Sequence, residues 1–279
     1  MFFKLLILSK FATEVPPNFI TDIDIALFLF QKLIINICKE IVMKSKGITF
    51  MQKTNKDIFD DLAEEWWKDG GKFDALHTYN PIRINFILKS FKKKLKSIEI
   101  LDIGCGGGIL CEPLSRLGAS VTGIDENKKA IEVARAHAKK KNRKIKYFCG
   151  KISNLPTVKK FDIITCMEVI EHVESLESII SEVKSKLKPN GLFVGSTINQ
   201  TLTSYFSAIL MAEFLLQIVP KYTHSWKKFV KPNKLKKELL FQKFSNISFQ
   251  GVMYNPLKKD WSLSKNLLIN YMFSCNLKK

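Results

Sequence analysis

A short apolar run passes into clustered glycines at Leu101-Asp102-Ile103-Gly104-Cys105-Gly106-Gly107-Gly108. This passage is typical of the first strand of an α/β sheet where it leads into a helix, because glycines let the backbone turn tightly and approach a ligand closely. The dinucleotide fingerprint GxGxxG or GxGxxA fails here, since Ile109 or Cys111 occupies its sixth position. The pattern present is DxGxGxG.

A second acidic residue, Asp125, follows Gly108 by 17 residues and ends the next predicted strand. A carboxylate at that strand end can accept hydrogen bonds from two ribose hydroxyls, while Gly104 and Gly106 make room for a cofactor without a pyrophosphate. The combination predicts an S-adenosylmethionine site. The alternative is a turn that merely closes a βα unit, with Asp125 capping the helix that begins near Asn127.

From residue 98 onward, short β-branched runs alternate with helical patterns, which indicates βαβ units and a parallel sheet. The predicted strands are 98–103, 120–125, 145–149, 161–167 and 191–197, with helices at 127–141 and 176–187. Two later candidates, 245–252 and 268–275, complete a predicted sheet of seven strands. The fold class is therefore α/β and Rossmann-like, with helices on both faces.

Polar residues follow the strand 161–167, at the edge where open α/β sheets bind ligands. If the chain turns helical at Glu168, then Glu168, Glu171 and His172 stand at i, i+3 and i+4 on one face. Such a group could hold a divalent metal or act as a general base. Alternatively, the two glutamates simply favour a helix N-terminus and His172 is a surface residue.

The 279 residues carry 45 Lys and Arg against 26 Asp and Glu, a net charge of +19. Basic charge raises the question of nucleic-acid binding. Only four of the basic residues are arginines, however, and a Lys-, Ile- and Asn-rich composition is what an AT-rich coding sequence produces without selection for a partner. The six cysteines form no CxxC pair, which favours reduced thiols over a zinc ribbon or a disulfide framework.

Residues 1–50 differ from the rest of the chain and are predicted to be an N-terminal extension. Their two apolar runs are interrupted by Lys4 and Lys32, so neither reaches the length of a spanning helix. No small-x-small cleavage site follows the first run. The extension is interpreted as a membrane-surface appendage or as an untranslated leader before a start at Met43 or Met51, and residues 51–279 are predicted to form the main domain.

An insertion is predicted at about residues 199–232. Residues 202–219 are strongly apolar, and residues 199–279 carry 13 basic against three acidic side chains. This combination suits a helix that lies on an anionic membrane surface or covers an apolar pocket. A buried core helix is the alternative.

Four segments resemble the class I S-adenosylmethionine-dependent methyltransferases: LDIGCGGGIL at 101–110, VTGID at 121–125, TCMEVIEHV at 165–173 and LKPNG at 187–191. The flanking segments EWW, HTYNPIR, VPKYTH, KFVKP and YNP resemble, in this order, the ubiquinone-biosynthesis O-methyltransferase family of bacteria and mitochondria; they lie at 65–67, 77–83, 219–224, 228–232 and 254–256. The resemblance spans about residues 55–277.

The resemblance implies that Arg83, Gly104, Asp125 and Met167 contact the cofactor. Arg83 would pair with the carboxylate of the methionine moiety. It also implies a magnesium ion held by three residues: Glu168, Glu171 and His172. Three positions depart from the family pattern and lie toward the substrate side: Thr78, Tyr222 and Lys234.

The implied activity is methylation of a hydroxyl on a polyprenylated catechol, namely 2-polyprenyl-6-hydroxyphenol and 3-demethylubiquinol. The implied partners are this substrate, an anionic membrane surface and other ubiquinone-biosynthesis enzymes, and the implied location is the cytoplasm, at the inner face of the membrane. A methyltransferase for another small molecule is the alternative. An RNA-binding or RNA-modifying protein is suggested by charge alone, without a (D/N)PPY tetrapeptide or an aromatic-basic platform, so no nucleic-acid partner is expected.

Overall fold

The computed structural model describes residues 65–156, 158–201, 203–204, 228–255 and 260–278. They belong to one compact unit, Lys53–Lys279. Its strands are β1 Glu99–Ile103, β2 Ser120–Asp125, β3 Lys146–Cys149, β4 Phe161–Met167, β5 Leu187–Ile198, β6 Phe244–Asn255, β7 Asp260–Ser264 and β8 Asn270–Leu277. The predicted extension 1–50 lies outside the described residues, and so does nearly all of 202–219.

Five helices accompany the strands in the described ranges. They are α1 Asp74–Phe91, α2 Cys111–Arg116, α3 Lys128–Lys140, α4 Leu176–Lys186 and α5 Pro232–Phe241. Helix α3 begins where the Asn127 side chain accepts a hydrogen bond from the Ala130 amide, and α4 begins where Ser175 does the same for Ser178. Both starts follow the usual N-cap chemistry. Two short 3₁₀ turns cover Ile152–Asn154 and Ile170–His172.

All the strands join one mixed sheet in the order β3-β2-β1-β4-β5-β8-β6-β7. The first five strands in this order are parallel, while β8 runs antiparallel to both β5 and β6. Strand β6 therefore points the same way as β5. The carboxyl ends of β1, β2, β4, β5 and β6 consequently lie at one edge of the sheet.

Apolar side chains fill both faces of the sheet. One core cluster joins the strands to α1, α2 and α3 through residues such as Ile87, Leu114 and Ile131. The other joins them to α4 and α5 through Ile180 and Leu235. Helices on both faces are what buried parallel strands require, and the predicted fold class is confirmed.

The predicted strand count of seven is wrong, because β7 is an eighth strand in the described part of the chain. It turns back from the end of β6, and the pair is antiparallel with Tyr254 opposite Trp261 and Val252 opposite Leu263. In β7 only Trp261 and Leu263 alternate with polar residues, and two apolar residues are too few to predict a strand from the sequence. Packing against β6 and α1 stabilises this strand, and a local pattern does not show such contacts.

A membrane-spanning helix is not found among the described residues: none of their helices is long and apolar enough to cross a bilayer.

Candidate active site

The glycine-rich loop leaves the carboxyl end of β1 and leads into α2. Gly104 and Gly106 have φ angles of +68° and +51°, in the left-handed region that favours glycine. The Gly104 amide donates to the Ile124 carbonyl at 2.8 Å, which ties the loop to β2. A Cβ at Gly104 would overlap Val169, and one at Gly106 would overlap the ring of Trp66. The loop therefore has no room for side chains at these two positions.

Asp125 ends β2 directly beside this loop. One carboxylate oxygen accepts the Gly106 amide at 2.9 Å, and the other accepts the Asn127 amide at 2.8 Å. Burial raises the pKa of Asp125, while the two amide hydrogen bonds act in the opposite direction. The N-cap of α3 is Asn127 and not Asp125, so the capping alternative for Asp125 is wrong. Asp125 instead accepts one amide at the start of the helix and one from the loop.

Asp102 lies in β1 just before the loop and is buried. Its carboxylate accepts Thr165 Oγ1 at 2.7 Å and Cys111 Sγ at 3.3 Å. Burial raises its pKa to about 6, against the lowering effect of these two hydrogen bonds. The sequence showed Asp102 only as the first letter of a motif. In the structure it ties β1 to β4 and α2.

Two tryptophans pack on the loop from the N-terminal side. Trp66 stacks on Phe73 with ring centroids 3.9 Å apart and lies against Gly106. The Trp67 indole donates to the Gly107 carbonyl at 2.8 Å and stacks on His137 at 3.7 Å. In the sequence the tryptophan pair contributed only to the family resemblance. In the structure the pair contacts the glycine-rich loop directly.

Two glutamates follow the carboxyl end of β4. Glu168 Oε1 accepts the Ser196 hydroxyl at 2.7 Å, and Glu171 Oε2 accepts the Thr197 hydroxyl at 2.7 Å. Glu171 is buried, and burial followed by the neighbouring Glu168 charge raises its pKa well above the usual carboxyl range. Adjacent hydroxyls on β5 therefore hold the pair at the sheet edge.

The premise that the chain turns α-helical at Glu168 is wrong. Glu168 has a φ angle of +55°, and only a 3₁₀ turn at Ile170–His172 follows before α4 begins. The left-handed residue redirects the chain, so the i, i+3, i+4 relation does not place three side chains on one helical face. Glu171 is buried in the core, whereas His172 is exposed.

Arg83, on α1, lies beside the carboxylate pair. Its guanidinium is buried, lies 3.9 Å from Glu168 Oε1 and stacks over the Tyr79 ring at 4.5 Å. Its Nε atom has no hydrogen-bond partner within the described part of the chain. Met167 ends β4 next to Glu168 and is buried. Arg83 and Met167 thus lie with the carboxylates, while Gly104 reaches the same turn through Val169.

The chain resembles known methyltransferases in sequence. Residues 101–195 match the family model described as a methyltransferase domain. A ubiquinone biosynthesis O-methyltransferase of Pelagibacter ubique (strain HTCC1062) is 45% identical over 234 residues, which cover 80% of this chain and 96% of that relative. The chain belongs to the ubiquinone biosynthesis O-methyltransferase family. A second relative of the same name, from Bartonella bacilliformis, is 42% identical and covers 82% of this chain and 97% of its own length.

Solved structures confirm the fold of this family member. A magnesium protoporphyrin IX methyltransferase from Synechocystis PCC 6803 aligns with a TM-score of 0.57 at 17% identity, covering 80% of this chain and 97% of that one. A methyltransferase from Thermotoga maritima aligns at 0.56 with 16% identity, covering 80% and 99%. Together with the family match, these findings confirm the predicted methyltransferase activity and S-adenosylmethionine as cofactor.

Proposed function

We propose that this member of the family transfers the methyl group of S-adenosylmethionine to a hydroxyl of a polyprenylated catechol, at 2-polyprenyl-6-hydroxyphenol and at 3-demethylubiquinol. The observation that supports it most is the convergence of the glycine loop, Asp125 and the Glu168–Glu171 pair at one sheet edge. The names of the relatives add the quinone-precursor substrate class.

The residues at this edge fit the cofactor. Gly104 carries no side chain and is exposed, which leaves the loop backbone at this position open to a nucleoside, and the Asp125 carboxylate suits ribose hydroxyls. Arg83 has a buried, unpartnered Nε within the described residues and would pair with the methionine carboxylate. Met167 would pack against the cofactor as an apolar neighbour. We assign cofactor binding to these side chains and the loop.

Replacing Asp125 with asparagine should weaken S-adenosylmethionine binding about tenfold, because the amide offers one acceptor oxygen in place of two and carries no charge. Titration calorimetry with the cofactor measures the effect. Glu126→Gln is the matched control, since Glu126 is the next residue and is exposed. Equal affinities for the Asp125 variant and the wild type would contradict the ribose assignment.

Glu168 is the group best placed to take the substrate proton. A phenol titrates near pH 10, so a carboxylate beside it assists its ionisation at neutral pH. The Glu168 side chain is 29% exposed, whereas burial favours the protonated form of Glu171. S-adenosylmethionine, when bound, would supply a sulfonium methyl group: the hydroxyl oxygen bonds to the methyl carbon as the carbon–sulfur bond breaks, and S-adenosylhomocysteine leaves. Arg83 and Ser196 hold the Glu168 carboxylate in place while it accepts the proton.

Magnesium binding by Glu168, Glu171 and His172 stays a prediction. The described residues contain no group of three His, Cys, Asp or Glu side chains that could hold a metal ion. Glu168 and Glu171 already accept hydroxyl hydrogen bonds, and His172 is exposed while Glu171 is buried. The donors as placed do not fit a three-ligand site, so the mechanism assigns no step to a metal.

We propose that the protein binds its substrate at the membrane surface. A polyprenyl tail partitions into the lipid bilayer. Residues 199–279 combine the apolar segment 202–219 with an excess of ten positive charges. Such segments bind anionic lipid through apolar burial and charge attraction. The proposed location is the cytoplasmic face of the membrane, where other ubiquinone-biosynthesis enzymes would supply and consume the substrate.

The decisive assay combines labelled S-adenosylmethionine with a short-chain prenylated catechol. Turnover is expected for the wild type, and Glu168→Gln should lower kcat about tenfold without changing cofactor affinity, because water replaces the base poorly. Glu174→Gln, at an exposed neighbouring position, is the control. Equal turnover of unprenylated soluble catechols would favour the alternative of another small-molecule acceptor.

A further inference from the structure

Three aromatic rings form a continuous row at the active edge of the sheet. Tyr79 of α1 packs on Trp261 of β7 with ring centroids 4.7 Å apart, and Trp261 packs on Tyr254 of β6 at 4.9 Å. Because β6 runs in the direction of β5, Tyr254 lies at the same edge as Glu168. Arg83, stacked over Tyr79, joins the row to this carboxylate. We call Tyr79 and Trp261 the aromatic wall.

Both side chains of the aromatic wall carry a donor that their surroundings leave without an acceptor. Neither the Tyr79 hydroxyl proton nor the Trp261 Nε1–H has an acceptor within the described ranges, because the Arg83 guanidinium beside the Tyr79 hydroxyl can only donate. The two residues are only 5% and 8% exposed. A buried donor without a partner is costly, and tyrosine and tryptophan are normally paired when buried. Packing alone would be served as well by phenylalanine at either position.

The environment of Tyr79 keeps its hydroxyl a donor. Burial, reinforced by the Glu168 charge, raises the pKa of the phenol far above neutrality, and the charge and hydrogen bond of Arg83 offset only part of this rise. The ring is thus a neutral phenol that offers its proton toward oxygen atoms. An indole nitrogen offers the same kind of donor. Two aromatic side chains that each carry a donor without an acceptor match an aromatic ligand whose ring bears oxygen substituents.

We propose that the aromatic wall recognises the ring of the methyl acceptor, with Tyr79 and Trp261 donating hydrogen bonds to its oxygen substituents. This proposal rests on the proposed function, because it names the residues that recognise the catechol. It places the ring beside the row of Tyr254, Trp261 and Tyr79, at the sheet edge that also carries Glu168. It also gives the eighth strand a role, since β7 carries Trp261.

The test is direct binding of a short-chain prenylated catechol to protein saturated with S-adenosylhomocysteine, measured by titration calorimetry without turnover. Both variants keep an aromatic ring. Tyr79→Phe removes only the hydroxyl donor, whereas Trp261→Phe removes the indole N–H and also reduces the size of the ring system. Each should weaken catechol binding about fivefold to tenfold, the usual effect of one neutral hydrogen bond. S-adenosylmethionine affinity should stay within twofold of the wild type.

Tyr147→Phe is the matched control, because Tyr147 also has a buried hydroxyl without a partner in the described structure. It belongs to β3, at the opposite end of the strand order from β7. Catechol affinity should not change in this variant. Unchanged catechol affinity in both wall variants, or an equal loss in Tyr147→Phe, would overturn the proposal.

The same titrations separate this proposal from the proposed function. Wild-type protein that binds the catechol with wall-dependent affinity but transfers no methyl group would contradict the proposed function and support the wall. Wild-type protein that methylates the catechol while both wall variants keep its KM would support the function and overturn the wall. Loss of S-adenosylmethionine affinity instead of catechol affinity would place the wall in the cofactor site and also overturn the proposal.

Discussion

A Gly104→Ala variant is expected to bind S-adenosylmethionine at least about a hundredfold more weakly than the wild type. Two costs combine at this position. The φ angle of +68° is strained for any residue with a Cβ, and the new Cβ would overlap Val169. Val169 precedes the 3₁₀ turn that carries Glu171, and its branched side chain has little freedom to move aside. The glycine loop and the turn must therefore separate.

Gly70→Ala separates these two costs. Gly70 has nearly the same φ angle, +66°, but a Cβ there would meet nothing within 4 Å. This control variant should lose a little stability and keep its cofactor affinity within twofold. Titration calorimetry measures the affinities, and circular dichroism establishes that both variants are folded. A Gly104 variant that binds the cofactor like the control would show that close backbone approach is unnecessary at the loop.

The parallel half of the fold follows from local sequence signals. Strands β1, β2, β4 and β5 contain buried runs with β-branched residues, whereas β3 is short and buries only Tyr147. The observed bounds of β2 and β4 coincide with the predicted ones. Strand β5 starts earlier, at Leu187, because its first residue already pairs with Phe161 across a register shift. Such pairing depends on the neighbouring strand and leaves no mark on the local pattern.

The sequence predicted that the glycine loop and Asp125 follow the first two strands. It did not predict the positions or the burial of Glu168 and Glu171. The spacing of Glu168 and Glu171 suggested a shared helical face, whereas a left-handed residue and two β5 hydroxyls set their actual positions. Thr197 is 26 residues from Glu171 in sequence. Burial and charge coupling arise only when the two strands pair, so the raised pKa of Glu171 could not be inferred from the motif.

The aromatic wall was missed for a similar reason. Tyr79 lies within the segment 77–83 and Trp261 within a strand that the sequence did not predict. Their contact joins α1 to β7 across the site, and a pattern of spacing along the chain cannot show it. The signal that could have found them is chemical: an aromatic substrate requires aromatic neighbours, and both residues carry donors besides their rings.

An Asp102→Asn variant is expected to be more stable than the wild type at neutral pH by up to about 3 kcal/mol, and no more stable near pH 4. Burial raises the pKa of Asp102 from 3.8 to about 6 in the folded protein. The protonated carboxyl is therefore favoured by folding. Its contribution to stability is complete below pH 3.8 and is lost as the pH rises through 6, at about 1.4 kcal/mol per pKa unit.

Asparagine removes this titration while keeping the shape of the side chain. Its carbonyl oxygen can still accept the Thr165 hydroxyl, and its amide can donate to the Cys111 sulfur in place of the present thiol hydrogen bond. Urea unfolding of both proteins between pH 4 and pH 7.5 measures the difference in the free energy of unfolding, which isolates Asp102 from other titrating groups such as Glu171. The difference should grow between pH 4 and about pH 6 and level off above that, once the carboxyl is ionised in both the folded and the unfolded protein.

Asp162→Asn provides the contrasting control. Asp162 lies on β4, accepts the Glu99 amide at 2.9 Å and pairs with Lys188 at 2.9 Å, and its side chain is partly exposed. Removing that carboxylate breaks an ion pair, so this variant should gain no stability at neutral pH. Parallel pH profiles for Asp102→Asn and the wild type would show that the carboxylate under the glycine loop is as well solvated as one in water, contrary to its burial between β1, β4 and α2.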